Sequence, residues 1–416
     1  MAVRTILTFI AKPQQMSFGG NDAFALQLTA KWPAREDRLI FICNANHPCR
    51  ELFAARLQGR AAMETFNEPM TAELRAAMDR HLPQAGLRRF LCELGTDLLR
   101  PFRATACIYR FMRLLARHKP DSVLLNIGGN PPEDLGWRMM LAAWLSRVPR
   151  IILINQSYPG RATTALRGAA LKILRRMTQF FCDVVVVASE DMADVLMRSM
   201  GTRVRPTVIS YGVDAAPAES LALADKRRNL QLKDSLTIGV VGNTEERKGI
   251  HVLVQAMPRV IKEFPAVQLI IIGFPVDPVY TAGIETLIKE LHLTDHVKNM
   301  GYMKDAGQYF ECFDIGVVPS IFAEAFGIVA IEAMRYKKPV VAGANGGLKE
   351  VVVDGETGFL TPPGDAGALA EALLKLLRSP TLRGSMGQAG YERFNRLYET
   401  SAMLKSYYKL AHAEVD

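Results

Sequence analysis

Ten short apolar runs, separated by stretches of helical period, decide what this chain can become. They fall at residues 4–11, 39–43, 122–127, 151–154, 184–188, 237–241, 269–273, 297–302, 315–318 and 339–342. Runs such as Val184 to Ala188 and Leu269 to Ile272 show no polar alternation, so strands built from them must be covered on both faces. Strands of that kind, alternating with helices, fold as a parallel sheet between two helical layers, the α/β class. The ligands of such a sheet sit outside the carboxyl ends of its strands. A chain of 416 residues has room for two domains of this type.

The composition fits a globular protein, with 49% hydrophobic and 22% charged residues. No apolar run approaches the roughly 18 residues that a membrane helix needs. Residues Met1 to Ala11 run into Lys12-Pro13-Gln14-Gln15 rather than a small-residue cleavage site, and so read as a first strand. The six cysteines show no Cys-x2-Cys spacing and fit buried thiols in a reducing, cytoplasmic setting. The seven histidines form no His-Glu-x2-His pattern, and no Asp-x-Asp is placed to hold a metal.

The net charge of +9 is unevenly spread. Residues 1–205 carry 29 Lys and Arg against 17 Asp and Glu, whereas residues 206–416 carry 22 against 25. Only the first half is therefore expected to meet an anionic partner. On a helical wheel for residues 102–118, Arg103, Arg110, Arg113 and Arg117 share one face and Ile108, Phe111, Met112 and Leu115 another. Residues 161–181 repeat the theme, with Arg161, Lys172, Arg175 and Arg176 opposite Leu166, Ile173, Met177 and Phe180. Each reads either as a helix with a core face and a solvated basic face, or as a peripheral contact with an anionic membrane. Nucleic acid is not indicated, because no reader motif or exposed aromatic interleaving accompanies the charge. The basic run Lys226-Arg227-Arg228 reads as a solvated helix end.

The chemistry concentrates in residues 316–334. A strand ends at Pro319 and Ser320, a polar elbow holds Glu324, and an apolar helix opens at Gly327 and carries Glu332. Helix first-turn amides attract anions, and Gly327 lets an anionic group approach the backbone. A carboxylate at Glu332, among Ile, Ala and Met, is costly unless a partner such as a ribose diol donates to it. The arrangement suits a nucleotide-sugar, although the spacing alone also allows Glu332 to face solvent. Upstream, the loop Gly242 to Gly249 places Lys248 where it can grip a diphosphate.

Glu324-x7-Glu332 with Phe326-Gly327-Ile328 resembles the signature of retaining glycosyltransferases of the GT-B fold, family 4. The likeness extends over most of residues 183–410. It implies two Rossmann-like, doubly wound parallel-sheet domains facing a central cleft. An acceptor-binding domain would span residues 1–205 and a donor-binding domain residues 206–390, with residues 391–416 as a helix returning to the first. Lys248 matches the family's diphosphate lysine, while Asn243 stands where the family has arginine. Arg247 is a candidate substitute, although adjacent side chains on an ordered loop usually diverge. Met303 falls where similar enzymes seat the nucleobase, and Gly346-Gly347 resembles the sugar-phosphate turn. Gly19-Gly20 matches a glycine pair near phosphate or acceptor, and Asn155 stands where a histidine is common.

The resemblance implies a retaining, metal-independent transferase that needs no cofactor beyond its nucleotide-sugar donor. Glu324, Lys248 and Asn155 would serve catalysis, and Glu332 would hold the ribose. The acceptor would be a glycan or a lipid-linked saccharide, as in bacterial surface polysaccharide or glycolipid synthesis on the cytoplasmic face of the membrane. Two alternatives stay open: a catalytically impaired GT-B partner subunit, favoured by Asn243 and Asn155, and a sugar-nucleotide epimerase of similar shape.

Overall fold

The computed structural model describes residues 3–10, 20–45, 47–66, 104–128, 134–159, 165–200, 204–215 and 221–413. The chain divides into two compact units. The first comprises residues 1–187, 193–208 and 404–416, and the second residues 188–192 and 209–403.

In the first unit the order is β1 (Thr5–Ile10), α1 (Gly20–Ala30), β2 (Arg38–Asn44), α2 (Arg50–Leu57), β3 (Ala62–Phe66), α3 (104–118) and β4 (Ser122–Ile127). It continues with α4 (Asp134–Leu145), β5 (Arg150–Asn155), α5 (Ala165–Phe181), β6 (Val184–Val187), α6 (Glu190–Met200) and β7 (Thr207–Val208). The strands pair in parallel in the order β3-β2-β1-β4-β5-β6-β7. The first turn of α6 groups with the second unit and the rest of the helix with the first.

The second unit contains α7 (Leu223–Asn229), β8 (Thr237–Val241), α8 (Ile250–Glu263), β9 (Gln268–Ile272), α9 (Pro278–Glu290), β10 (Val297–Asn299) and β11 (Ile315–Val318). It ends with α10 (Ile328–Arg335), β12 (Val340–Gly343), α11 (Leu348–Val351), β13 (Gly358–Thr361), α12 (Ala366–Arg378) and α13 (Pro380–Leu397). Its sheet, again parallel, runs β10-β9-β8-β11-β12-β13. A core of Ile238, Val240, Leu269, Ile271, Ile315 and Val317 packs against Leu253, Met257 and Leu373 from the covering helices. In both sheets the order reverses once, between β1 and β4 and between β8 and β11. At such a point the connections leave in opposite directions and a crevice opens beyond the strand ends.

A last helix, α14 (Thr400–His412), crosses the boundary, with residues from 404 onward belonging to the first unit. There the Ala411 carbonyl accepts from Ser122 Oγ at 2.8 Å and from Arg4 Nη1 at 3.1 Å. Tyr408 and His412 stack at 4.0 Å beside Trp32.

A parallel strand leaves its first N–H unpaired, and three acids meet that need. Asp121, Asp183 and Asp314 each stand just before a strand and accept from an amide in the first two residues of a neighbouring strand. The acceptances are from Thr5 at 2.7 Å, Ile151 at 2.6 Å and Thr237 at 2.8 Å.

Two expectations are corrected. In α5 the apolar stripe does not face the core: Ile173 is 61% exposed and Phe180 70%, while Arg175 is 7% exposed and Thr178 is buried. Periodicity separates the faces of a helix but does not say which one is covered. In α3 the expected arrangement holds, with Phe111 and Leu115 buried and Arg110, Arg113 and Arg117 exposed. Arg103 and Arg161 lie outside the described residues. Second, Lys226 is not solvated. It is fully buried, ion-paired with Glu311 and 5.9 Å over the Tyr336 ring.

Asp314→Ala leaves the buried Thr237 N–H without an acceptor and is expected to cost about 1–3 kcal/mol, read as a lower urea midpoint. Asp314→Asn keeps an acceptor oxygen and should recover most of that loss.

Candidate active site

The site is built at the carboxyl ends of β8, β11 and β12, three neighbours in the second sheet. The loop after β8 tightens into a 3-10 turn, Glu246–Lys248, and closes at Gly249 with φ 66°. A side chain at Gly249 would stand 2.1 Å from the Pro319 carbonyl, so glycine alone lets this loop touch the one after β11. The Ile321 N–H donates to the Arg247 carbonyl at 3.0 Å and ties the two loops together. The loop after β12 joins through the Gly347 N–H, which donates to the Glu324 carbonyl at 2.8 Å. Asn345 Nδ2 donates to the Ser320 carbonyl at 2.5 Å.

Glu324 is the centre of this junction. Its Oε1 accepts from Lys248 Nζ at 2.6 Å, Ser320 Oγ at 2.7 Å and Arg247 Nη1 at 3.4 Å. Burial pushes its carboxyl up, but the Lys248 ammonium, Arg247 and the Ser320 hydroxyl together outweigh burial and hold it below the usual range. Arg247 and Lys248 therefore converge on one carboxylate oxygen rather than diverging. Arg247 Nη2 also pairs with Glu245 at 2.8 Å. Asn243 is exposed, and no described residue hydrogen-bonds to its side chain.

Gly327 caps α10 with φ 108°, a left-handed conformation that puts the helix's first amides at the mouth of the junction. Phe326 points inward and meets Tyr211 and Tyr398 edge-on at 5.5 and 5.6 Å. Ile328 is half-buried in the first turn. One turn on, Glu332 projects from the same helix against the backbone of Gly307, where a side chain would come within 2.8 Å of its Oε1. No described residue hydrogen-bonds to or ion-pairs with the Glu332 carboxylate. Burial raises its pKa, and Arg335 offsets that only in part.

Gly346 adopts φ 49° and Gly347 opens α11. Met303 is half-buried just beyond β10, following Gly301 at φ 64°. Asn155 belongs to the first unit, at the end of β5. Its Nδ2 donates to the Ser157 carbonyl at 3.1 Å, and its buried Oδ1 has no hydrogen-bond partner among the described residues. Gly20 opens α1, and Gly19 lies outside the described residues. Among the described residues, no group of three or more His, Cys, Asp or Glu could hold a metal ion.

Four residues here escaped the sequence reading. Ser320 and Asn345 are single polar residues in no recognisable spacing. Gly307 matters only because Glu332 is beside it. Glu350 accepts from the Glu190 and Asp191 amides at 2.9 and 2.8 Å, capping the first turn of α6. Of these, Ser320 and Asn345 stand just beyond the carboxyl ends of β11 and β12, where a ligand-binding loop is expected.

Two family models match this chain, "Glycosyl transferases group 1" over residues 224–393 and "Glycosyltransferase Family 4" over residues 70–216. The chain belongs to the family 4 glycosyltransferases. A phosphatidyl-myo-inositol mannosyltransferase of Mycobacterium leprae is 39% identical over 156 residues, 36% of this chain and 40% of that protein. The capsular polysaccharide biosynthesis glycosyltransferase CapM of Staphylococcus aureus is 26% identical over 299 residues, 69% of this chain and 76% of that one. The fold is GT-B: the HepE protein of Anabaena, solved with UDP, superimposes with a TM-score of 0.75 at 19% identity, covering 97% of this chain and 98% of its own. A glycosyltransferase of Rickettsia africae gives 0.77 at 18% identity, with 99% and 98% covered.

A carboxylate whose pKa is raised by burial destabilises the fold once it ionises. For Glu332 the folded state holds its proton more tightly than the unfolded state. Its favourable contribution is therefore present below the unfolded value and is lost as pH rises through the folded one. Glu332→Gln in this ligand-free glycosyltransferase should raise the melting temperature at pH 7. The gain should fade towards about pH 4, where the unfolded carboxyl is itself protonated.

Proposed function

We propose that this protein is a retaining, metal-independent transferase that moves a sugar from a nucleotide-sugar to a glycan or lipid-linked acceptor. The setting is bacterial cell-surface polysaccharide or glycolipid biosynthesis, at the cytoplasmic face of the membrane. The observation that carries this reading is the pairing of opposites around Gly327. A cation-rich junction at Glu324 and Lys248 stands on one side, and an unpaired, half-buried carboxylate at Glu332 on the other.

A nucleoside diphosphate meets both needs. Its phosphates suit Lys248 and the first-turn amides of α10, and its ribose diol supplies the two donors that Glu332 lacks. The Anabaena structures with UDP and UDP-glucose, and the relatives' names in glycolipid and capsule synthesis, support this class of donor and acceptor. The chain spans 40% of the mycobacterial enzyme's length, so the donor, acceptor and product are this proposal's own content.

In the proposed reaction the bond between the anomeric carbon and the diphosphate oxygen breaks while the acceptor oxygen bonds to that carbon on the same face. The acceptor's proton passes to the departing phosphate. Lys248 and the helix amides take up the growing negative charge, a role typically worth a hundredfold to a thousandfold in rate per donor. Glu324 is a poor base, because its neighbours hold its pKa low. Its place is to fix the Lys248 ammonium and to accept from sugar hydroxyls. The alternative of an impaired partner subunit draws on exposed Asn243, but Arg247 beside Lys248 restores a second cation to the junction. In the first unit, Asn155, whose buried oxygen has no partner among the described residues, is assigned to acceptor contact.

The test is thermal unfolding with UDP-, GDP- and ADP-sugars. At about 100 times its dissociation constant, one donor should add roughly 2.7 kcal/mol of stability. Glu332→Ala should abolish that shift. Lys248→Ala should lower turnover by about a hundredfold or more. Chelator should leave turnover unchanged, and the product should keep the donor's anomeric configuration. An inverted product, or no donor shift at all, would overturn the reading.

A further inference from the structure

The first unit carries a second surface that the proposed transfer chemistry does not use. On α5, Ile173, Met177 and Phe180 lie within one stripe of the helix and all are exposed, at 61%, 41% and 70%. Trp144 and Leu145, at the end of α4, extend the patch and are exposed at 42% and 45%. Trp144 sits 6.0 Å from Phe180 and 5.2 Å from Phe181, ring centre to ring centre. These aromatics and Arg147 line a groove of about 620 Å³. A second groove of about 620 Å³ continues from Arg147 and Val148 to Tyr109, Arg113 and Lys119. Exposed Lys172 and Arg176 flank the stripe on α5 itself, and exposed Arg110 and Arg117 lie further along α3.

A contiguous apolar patch of this kind, rimmed by charge, marks a contact surface. The rim decides the occupant. A second copy would bring lysines and arginines against lysines and arginines, whereas an anionic bilayer offers hydrocarbon to the stripe and phosphate to the rim. An indole and phenyl rings at the boundary of an apolar and a basic zone match the headgroup level of a membrane.

We infer that the outer face of α5, with Trp144, inserts into the interface of an anionic phospholipid bilayer. Phe180, Ile173 and Met177 enter the acyl region, while Lys172, Arg176 and Arg147 meet the headgroups. The inference takes only the peripheral location from the proposed function. It also differs from attachment through a basic face alone, because here the apolar stripe is the inserted part.

The experiment is co-sedimentation of the full chain with vesicles, without donor or acceptor, so its failure leaves the transfer reading untouched. Vesicles of phosphatidylcholine alone are compared with vesicles containing phosphatidylglycerol. The wild type should sediment with the anionic vesicles. Phe180→Ser and Ile173→Ser should each lower the partition coefficient by about tenfold or more, with an unchanged melting temperature because both side chains are exposed. Lys172→Gln should lower it by roughly fivefold on anionic vesicles only. Absence of wild-type binding, or binding untouched by Phe180→Ser, would overturn the inference. So would a dimer that Phe180→Ser dissociates in a chain that ignores vesicles, since the stripe would then be a self-contact.

Discussion

The reversal of strand order between β8 and β11 is the constraint on which the second unit's site depends. Two adjacent parallel strands there send their chains in opposite directions, so their loops must rise side by side and part. What stands between them cannot be filled by a crossing helix. The loops are nevertheless held within hydrogen-bond reach, by the Arg247 carbonyl accepting from Ile321 and by a glycine at 249 where any side chain would strike Pro319. The crevice is thus open to a ligand but rigid at its base. These ties between the loops hold Lys248, Ser320 and Glu324 together, with Glu324 Oε1 at 2.6 Å from Lys248 Nζ and 2.7 Å from Ser320 Oγ.

Much of this was legible in the chain itself. Apolar runs without alternation forecast covered parallel strands, and β1, β2, β4 to β6, β8, β9, β11 and β12 stand where they do. The two glutamates and Lys248 could be singled out because chemistry demands unusual residues in unusual places, such as a carboxylate in an apolar helix. Less legible were contacts that need the third dimension. Ser320 donates to Glu324 only because the elbow turns back on itself, and Gly307 matters only because a distant helix brings Glu332 against it.

The two corrected expectations share a physical reason. A charge run such as Lys226-Arg227-Arg228 reads as solvated because burying an ammonium is costly. Lys226 escapes that cost through Glu311 and the face of Tyr336, both far along the chain and so invisible in the run. In α5 the apolar residues do share one stripe, but Lys172 and Arg176 lie exposed beside it while Arg175 is buried, so the covered side follows neither the apolar nor the basic grouping. Arg175 and Thr178 face the unit's interior instead, and the apolar stripe stays exposed.

Glu324 and Glu332 show how one helix terminus can hold carboxylates in opposite states. Glu324 is satisfied in the free protein, by an ammonium, a guanidinium and a hydroxyl, and its ionised form helps to hold the loops in place. Glu332 is not, and its ionised form weighs against the fold until something donates to it. On the proposed reading, a ligand bearing an anion and a diol would relieve the second without disturbing the first, with its anion directed to Lys248 and the helix amides. Binding free energy would then be drawn from the cost of the ionised Glu332 carboxylate, and a ligand that lacks the diol would forgo it. On the proposed reading, selectivity for a nucleotide over simple phosphate would follow from the half-buried Glu332 carboxylate.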